Sequence, residues 1–278
     1  MQTGQPSRTA LGAAVYRAAH QTLEGGRIFS DPLARTVLGP EADALISAFS
    51  ADPAQREMRV FMAARSRFAE DCLGRAVSRG VRQVVILGAG LDTFALRNPH
   101  APLGLRVFEV DHPVTQAWKR TRLQEVNLAI PAMLTFVPMD FTCQDLAHEL
   151  AAAGFQASEP AFFCWLGEVP YLQREAISSI LELIASLPGA EVVFDYSEPL
   201  ENYSLERRAN VAALTASVGE PWLSHFDPAE LARDLRQHGF NELEDIGRDD
   251  IAVRYLGAPK PGGVPEVGPH IIHARRAG

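Results

Sequence analysis

Residues 84–93 read VVILGAGLDT, an apolar run that passes directly into a turn containing two glycines. Apolar residues without alternation are typical of a strand that is covered on both faces of a parallel sheet. Glycine lets the backbone pass close to a ligand, and the helix that follows presents free N–H groups at its N-terminus. In open α/β sheets the ligand crevice lies at the carboxyl ends of the strands, where the strand order reverses. The stretch therefore predicts a cofactor site at Gly88, Ala89 and Gly90.

Similar apolar runs follow from residue 81 onward, and helical patterns lie between them. The predicted strands are 84–87, 106–110, 134–138, 161–166, 191–196 and 270–275, and the predicted helices are near 114–127, 144–153, 173–186 and 228–238. This alternation is the signature of βαβ units in a doubly wound parallel sheet. Residues 81–278 are therefore predicted to form a Rossmann-like α/β domain.

The first eighty residues read differently, as a mainly helical cap over residues 1–80. Asp31 and Pro32 predict the cap and first position of a short helix, and Gly39 predicts its end. A longer helix is predicted over about 54–79, leading into the first strand. An insertion with several aromatic residues follows the fifth predicted strand, at about 197–226. We expect this insertion and the N-terminal helices to form a lid over an apolar acceptor pocket.

Composition excludes several classes of protein. The chain of 278 residues has 26 Lys and Arg against 34 Asp and Glu, so it lacks the general basic field that attracts nucleic acid or anionic lipid. No apolar run reaches the roughly 18 residues of a membrane-spanning helix, and the start does not read as a signal peptide. The three cysteines fit neither a disulfide framework nor a zinc spacing. We expect a cytoplasmic protein with no metal, no nucleic-acid partner and no membrane association.

Two carboxylates end the second predicted strand, at Glu109 and Asp111. They are two residues apart and share one side if the strand persists. Either could accept hydrogen bonds from the ribose hydroxyls of an adenosine, and a hydrogen bond to a charged group is worth about 1.5–3 kcal/mol. The sequence leaves open which of the two does so.

The type of nucleotide depends on the position that follows the two glycines. The dinucleotide fingerprint G-x-G-x-x-G has its third glycine where this chain has Thr93, preceded by Asp92. A carboxylate is repelled by a pyrophosphate but attracted by an ammonium and a sulfonium. The turn therefore favours S-adenosylmethionine over NAD, FAD or ATP, with S-adenosylhomocysteine as the product.

The motifs as a set resemble the leucine carboxyl methyltransferase family, closest to its bacterial branch of tetracenomycin-type polyketide O-methyltransferases. The matching segments cover about residues 30–275: IFSDPLA at 28–34, Arg65 with Asp71, LGAGLDT at 87–93, FEVDHP at 108–113, Lys119, VPMDF at 137–141, WLGEVPYL at 165–172 and GEPWLSHFDP at 219–228. The resemblance implies a class I methyltransferase that uses S-adenosylmethionine.

The resemblance also implies roles for single residues. Arg65 would bind the methionine carboxylate, with Arg67 as the alternative if the helix register is shifted; Asp111 would hold the ribose, and Asp140 with Phe141 would bracket the adenine. Many relatives carry a glutamate that contacts the methionine amine at the position of Leu166. Here Glu168, Asp92 or backbone carbonyls are the candidates for that contact.

The acceptor is predicted less directly. Tyr196, Tyr203 and His225 are candidate catalytic groups on and near the insertion, although a carboxylate acceptor needs no general base. The leading hypothesis is an O-methyltransferase acting on a carboxyl or hydroxyl oxygen of a small metabolite, such as an aromatic or polyketide-like acid. The alternatives are a nicotinamide-dependent oxidoreductase and a non-catalytic regulatory protein that binds S-adenosylmethionine.

Overall fold

The computed structural model describes residues 7–50, 55–141, 143–209, 211, 221–260, 262, 263 and 266–277. The strands are β1 (Gln83–Leu87), β2 (Arg106–Asp111), β3 (Leu134–Pro138), β4 (Phe162–Trp165), β5 (Glu191–Ser197), β6 (Glu242–Ile246) and β7 (Pro269–Arg275). The helices are α1 (Arg8–Leu23), α2 (Ala34–Leu38), α3 (Ala42–Ser50), α4 (Gln55–Ser78), α5 (Phe94–Arg97), α6 (Pro113–Glu125), α7 (Leu146–Ala152), α8 (Arg174–Ser186), α9 (Pro228–Gln237) and α10 (Arg248–Leu256).

All seven of these strands form one sheet, in the order β3-β2-β1-β4-β5-β7-β6. Strands β1 to β5 are parallel, and β7 runs antiparallel to both β5 and β6. The strand order reverses between β1 and β4, which pair directly. The doubly wound Rossmann-like fold is thus confirmed, and the ligand crevice of such a fold opens above β1.

Each face of the sheet carries its own part of the core. On one face Val85 and Leu87 pack with residues of α7, α8 and α9, and on the other Val84 and Ile86 pack against α4. All four side chains are buried. Burial on both faces explains why the strand shows no alternation of apolar and polar residues.

A third apolar cluster joins α1, α2 and α3 and includes Leu91 of the glycine-containing turn. The predicted cap of α2 is wrong by two residues, because α2 begins at Ala34 rather than at Pro32 and its N-cap is Leu33 rather than Asp31. Asp31 is fully buried, and its carboxylate accepts hydrogen bonds from Leu33, Arg17 and Thr93. Gly39 ends the helix as predicted, with a φ of 78°.

Two elements near the C-terminus were not predicted, the edge strand β6 and the helix α10 after it. Only Ile246 of β6 is buried, so its sequence ELEDI reads as polar. An edge strand pairs on one side only and gains little from apolar side chains, which leaves a weak sequence signal. The other predicted strands and helices are confirmed to within about two residues at each end.

The predicted insertion at 197–226 is described in part, since residues 210 and 212–220 lie outside the described residues. Its last residues run along the strand ends: Leu223 donates to the carbonyl of Pro170 at 2.6 Å, and Phe226 donates to the carbonyl of Ser197 at 2.9 Å. None of the described helices is long and apolar enough to span a membrane.

Candidate cofactor site

The turn after β1 brings the ends of β1 and β2 together. Gly88 and Gly90 have φ values of 64° and 48°, a region that favours glycine. The N–H of Gly90 donates to the Asp111 carboxylate, and the N–H of Ala89 donates to the carbonyl of Val110 at 3.1 Å. The glycines and the acid that the sequence placed at one site are therefore in contact.

Asp111 is held at this turn by backbone donors on both sides. Its second oxygen accepts the N–H of His112 at 2.6 Å. Burial raises the pKa of Asp111, and the hydrogen bonds from Gly90 and His112 oppose that rise. A carboxylate in this position can accept the hydroxyls of a ribose that lies over the glycine turn.

Glu109 lies deeper in the molecule. Its carboxylate is fully buried and accepts a hydrogen bond from Lys119 of α6 at 2.6 Å. Burial raises the pKa of Glu109 to about 7, although Lys119 lowers it. Because this carboxylate pairs with Lys119 in the interior, the ribose prediction narrows to Asp111.

Asp92 and Thr93 have different surroundings although they are adjacent. Asp92 is half-buried, and its side chain accepts the N–H of Phe94 at 2.7 Å. Thr93 is fully buried, and its hydroxyl donates to Asp31 at 2.7 Å. The Thr93 side chain therefore joins the glycine turn to the N-terminal helices, which argues against its predicted role as a cofactor contact.

Arg65 reaches the strand ends from α4. It is buried, and its Nη1 donates to Asp195 at the end of β5 at 2.8 Å. Arg67, the alternative, is exposed on the same helix and pairs with Asp71 at 2.9 Å. Asp71 therefore belongs to a surface pair with Arg67 and does not partner Arg65, whereas Arg65 is placed where a methionine carboxylate could reach it.

Glu168 lies directly over the glycine turn, where a side chain at Gly88 would collide with it. Leu166, at the position of the family glutamate, lines a small cavity between α4 and the sheet together with Asp92 and Glu70. The structure thus brings two acids near the expected amine, Glu168 above the turn and Asp92 beside Leu166. The contact of either acid with the methionine amine stays a prediction.

The end of β3 lies beside Asp111, because the N–H of Met139 donates to the Asp111 carbonyl at 2.8 Å. Asp140 and Phe141 follow, both half-buried, and Phe141 packs against the apolar core. They lie next along the strand ends after the ribose acid, which agrees with their predicted place around an adenine.

The two candidate catalytic tyrosines are engaged in the interior. Tyr196 is buried and donates its hydroxyl to Asp245 of β6 at 2.5 Å, and burial, with Asp245, raises its pKa. Tyr203 is also buried, and burial raises its pKa to about 12. The raised pKa values make both phenols weak candidates for a base near neutral pH, and their catalytic role stays a prediction.

His225 remains as a candidate base. Burial lowers the pKa of His225 below its ordinary value, so the ring is neutral at pH 7. Its Nε2 is buried and has no hydrogen-bond partner among the residues that the structure describes. Its ring lies 6.0 Å from that of Trp222, centroid to centroid.

Helix α1 covers the turn. A Cβ at Gly90 would lie 2.9 Å from the Cβ of Ala10. Arg17, further along the same helix, donates to the carbonyl of Leu91 at 2.7 Å. The N-terminal region is therefore part of the wall around the predicted cofactor.

One cluster outside the cleft has the donor types of a metal site. Cys72, Glu244 and His273 bring ligand atoms within 4.8 Å of one another. Arg75 donates to the Cys72 sulfur at 3.1 Å and to Glu244 at 2.9 Å. A guanidinium already supplies the positive charge there, so the cluster is explained as an ion-pair network.

A model of the leucine carboxyl methyltransferase family matches residues 10–185, which include the glycine turn, Arg65 and Asp111. The chain belongs to this family. It is accordingly an S-adenosylmethionine-dependent methyltransferase. The groups at the turn fit that cofactor, because two glycines leave the backbone open, Asp111 offers an acceptor for the ribose, and Arg65 with Asp92 and Glu168 offers charges opposite to those of the methionine tail.

Relatives of similar length support the assignment of this chain to the S-adenosylmethionine-dependent methyltransferases. One relative, from Bacillus subtilis (strain 168), carries the name of an S-adenosyl-L-methionine-dependent methyltransferase. It is 33% identical to this chain, and the match covers 90% of this chain and 91% of the relative. One of the same designation from Parafrankia sp. (strain EAN1pec) is 32% identical over 97% of this chain and 87% of its own. A methyltransferase structure from Thermobifida fusca YX has the same fold, with a TM-score of 0.57, 19% identity and coverage of 99% of this chain and 97% of its own.

Proposed function

We propose that this methyltransferase modifies an oxygen of a small metabolite and that a carboxylate is the favoured acceptor. The observation that supports the proposal is that both tyrosines are buried and that the hydroxyl of Tyr196 donates to Asp245, so neither tyrosine offers a free base to an acceptor. A carboxylate acceptor is ionised near neutral pH and needs no base. A site without an ionisable phenol suits that chemistry.

The protein's contribution is then alignment. S-adenosylmethionine, when bound, supplies a methyl group on a sulfonium that is already a good leaving group. Arg65 and Asp111 would hold the tail and the ribose, so that the acceptor oxygen and the methyl carbon meet in line. Positioning of reactants alone can supply about 7–11 kcal/mol.

The size of the acceptor is inferred from the cover of the cleft. The segment that carries Trp222 and His225 is bonded to Pro170 and Ser197 at the ends of β4 and β5, and α1 lies on the glycine turn. A cleft that is covered on these two sides, with Trp222 and His225 on one of them, suits a small, aromatic or polyketide-like acid.

A hydroxyl acceptor is the second candidate, and His225 is the observation that favours it. Its neutral ring has a buried, unpartnered Nε2 among the described residues, which can take a proton from a phenol. The two candidates differ in pH dependence. Methylation of a carboxylate should be constant down to about pH 5, close to the pKa of a carboxylic acid. Methylation of a phenol should already fall at a higher pH, as His225 gains its proton at a pKa below 6.5.

The experiment offers the full chain S-adenosylmethionine with a labelled methyl group and matched acids and phenols of one ring system. A base-labile methyl ester is expected, with a rate that His225→Ala changes less than two-fold. A base-stable ether whose formation His225→Ala abolishes would instead establish the hydroxyl candidate. Methylation of nitrogen, carbon or only a protein carboxyl terminus would contradict the proposal, as would binding of the cofactor without any transfer.

A further inference from the structure

Asp195 is a buried acid in an otherwise apolar part of β5. Its Oδ2 accepts Nη1 of Arg65 at 2.8 Å, and its Oδ1 accepts the N–H of Gly167 at 2.6 Å. Helix α4, the turn after β4 and strand β5 therefore meet at one carboxylate. The burial of this acid is explained by its two charge-assisted hydrogen bonds.

Gly167 shapes the other side of the Arg65 guanidinium. Its φ is 79°, and a Cβ at this position would lie 3.1 Å from both Nη1 and Nη2 of Arg65. The guanidinium thus lies against bare backbone while Asp195 holds one of its nitrogens. Arginine has five N–H donors, so a bond to Asp195 leaves others for a second anion.

We propose that Asp195 is a positioning residue, which orients Arg65 toward the methionine carboxylate of the cofactor without touching the cofactor itself. The inference rests on the proposed role of Arg65. A free arginine side chain loses about 2 kcal/mol of rotamer entropy when it is fixed. Asp195 fixes it before the cofactor arrives, so that less entropy is lost on binding.

The charge of Asp195 acts in the opposite direction. A carboxylate near the site repels the carboxylate of the ligand, so removing the charge would tighten binding if Arg65 stayed in place. Orientation and repulsion therefore predict opposite signs for the same substitution, and a binding measurement decides between them.

The test uses two ligands that differ in the carboxylate alone: S-adenosylhomocysteine and its decarboxylated analogue, S-adenosyl-3-thiopropylamine. Calorimetric titration of the full chain should show that Asp195→Asn lowers the affinity for S-adenosylhomocysteine about ten-fold. The affinity for the analogue should change less than two-fold. Asp245→Asn is the matched control, because Asp245 also accepts from a side chain on this sheet, the hydroxyl of Tyr196, but lies on edge strand β6. It should change the ratio of the two affinities less than two-fold.

A thermodynamic cycle separates positioning from general damage. In the Arg65→Ala background, Asp195→Asn should cause no further loss of affinity for S-adenosylhomocysteine, because only the repulsion by Asp195 is then removed. Unchanged or tighter binding by Asp195→Asn, equal loss for both ligands, or a loss that persists without Arg65 would each overturn the inference. If the wild-type chain bound both ligands with equal affinity, Arg65 would not bind the methionine carboxylate, and the inference about Asp195 would fail with that assignment. The proposal about the acceptor is tested separately, by the labelled methyl group.

Discussion

The two sides of the cleft are built in different ways. The ribose side consists of Gly88, Gly90 and Asp111, which lie within one βαβ unit, and the backbone N–H of Gly90 donates to the Asp111 carboxylate. The tail side consists of Arg65, Gly167 and Asp195, which come from three elements up to 130 residues apart and meet at the Asp195 carboxylate. The ribose side is fixed by local chain geometry, but the tail side forms only when α4 packs on the sheet.

The largest expected effect is on the tail side. Arg65→Ala should weaken S-adenosylhomocysteine about 100-fold, because two hydrogen bonds to a charged group are lost at about 1.5 kcal/mol each. Adenosine, which has no tail, should bind as before. Titration of both ligands checks this, with the exposed Arg67→Ala as the matched control. Equal losses for adenosine would show that Arg65 supports the whole cleft instead.

Asp111→Ala tests the ribose side and should weaken cofactor binding ten-fold or more. Because the ribose is present in both ligands, the affinities for adenosine and for S-adenosylhomocysteine should fall by the same factor. Arg65→Ala, in contrast, should lower only the affinity for S-adenosylhomocysteine. The same calorimetric series measures this. Unchanged affinity for S-adenosylhomocysteine would refute the assignment of Asp111.

Gly167→Ala tests whether the tail side needs bare backbone. The new Cβ would press on both Nη atoms of Arg65 and should weaken S-adenosylhomocysteine about five-fold. Gly154→Ala is the control, since Gly154 also has a positive φ, 86°, but has open space around it. Both variants should lose about 1 kcal/mol of unfolding free energy through backbone strain, so a binding loss shared by both would remove the special role of Gly167.

Glu109→Gln should have the smallest effect on the cofactor, within two-fold in affinity, because the Glu109 carboxylate is buried against Lys119. A ten-fold loss of affinity that is specific to ligands with a ribose would place Glu109 in the site. Asp111 would then not be the only carboxylate of β2 assigned to the ribose.

The same variant should alter the pH dependence of stability. Folded Glu109 keeps its proton to about pH 7, while the unfolded chain releases it near 4.5, so the folded state binds more protons in that window. The unfolding free energy should therefore fall as pH rises from 4.5 to 7, by about 1 kcal/mol per pH unit. Denaturant unfolding should show a steeper fall in the wild type than in Glu109→Gln, because Glu70 and Asp111, whose pKa values are also raised, are common to both. Parallel curves would contradict the raised pKa of Glu109.

The sequence predicted that the glycine turn and Asp111 lie together, because the glycines, the strand and the acid occur within about 25 residues of one another. It also placed Arg65, but only through resemblance to a family. Asp195 was not predicted as part of the site. It lies in the run EVVFDY, where an acid near the end of a buried strand could have indicated a functional residue. Its partners depend on the packing of α4, which periodicity does not encode.

The catalytic predictions show the same limit. Tyr196 was chosen for its place after the fifth strand, yet it donates to Asp245 of β6, an element whose polar sequence hid it. Without β6, nothing in the chain indicated that this hydroxyl would be taken up in the interior. Thr93 was likewise chosen for its place in a motif, while its partner Asp31 lies more than 60 residues earlier.

The position of helix α1 affects the rate at which product and cofactor can exchange. Ala10 packs on Gly90, and Arg17 donates a hydrogen bond to the Leu91 carbonyl, so the helix covers this side of the turn. We expect the helix to lift for each exchange of spent product for fresh cofactor. Such openings take microseconds to milliseconds and limit many enzymes more than the chemical step does. The residence time of the product, rather than the ease of methyl transfer, would then set the ceiling on turnover.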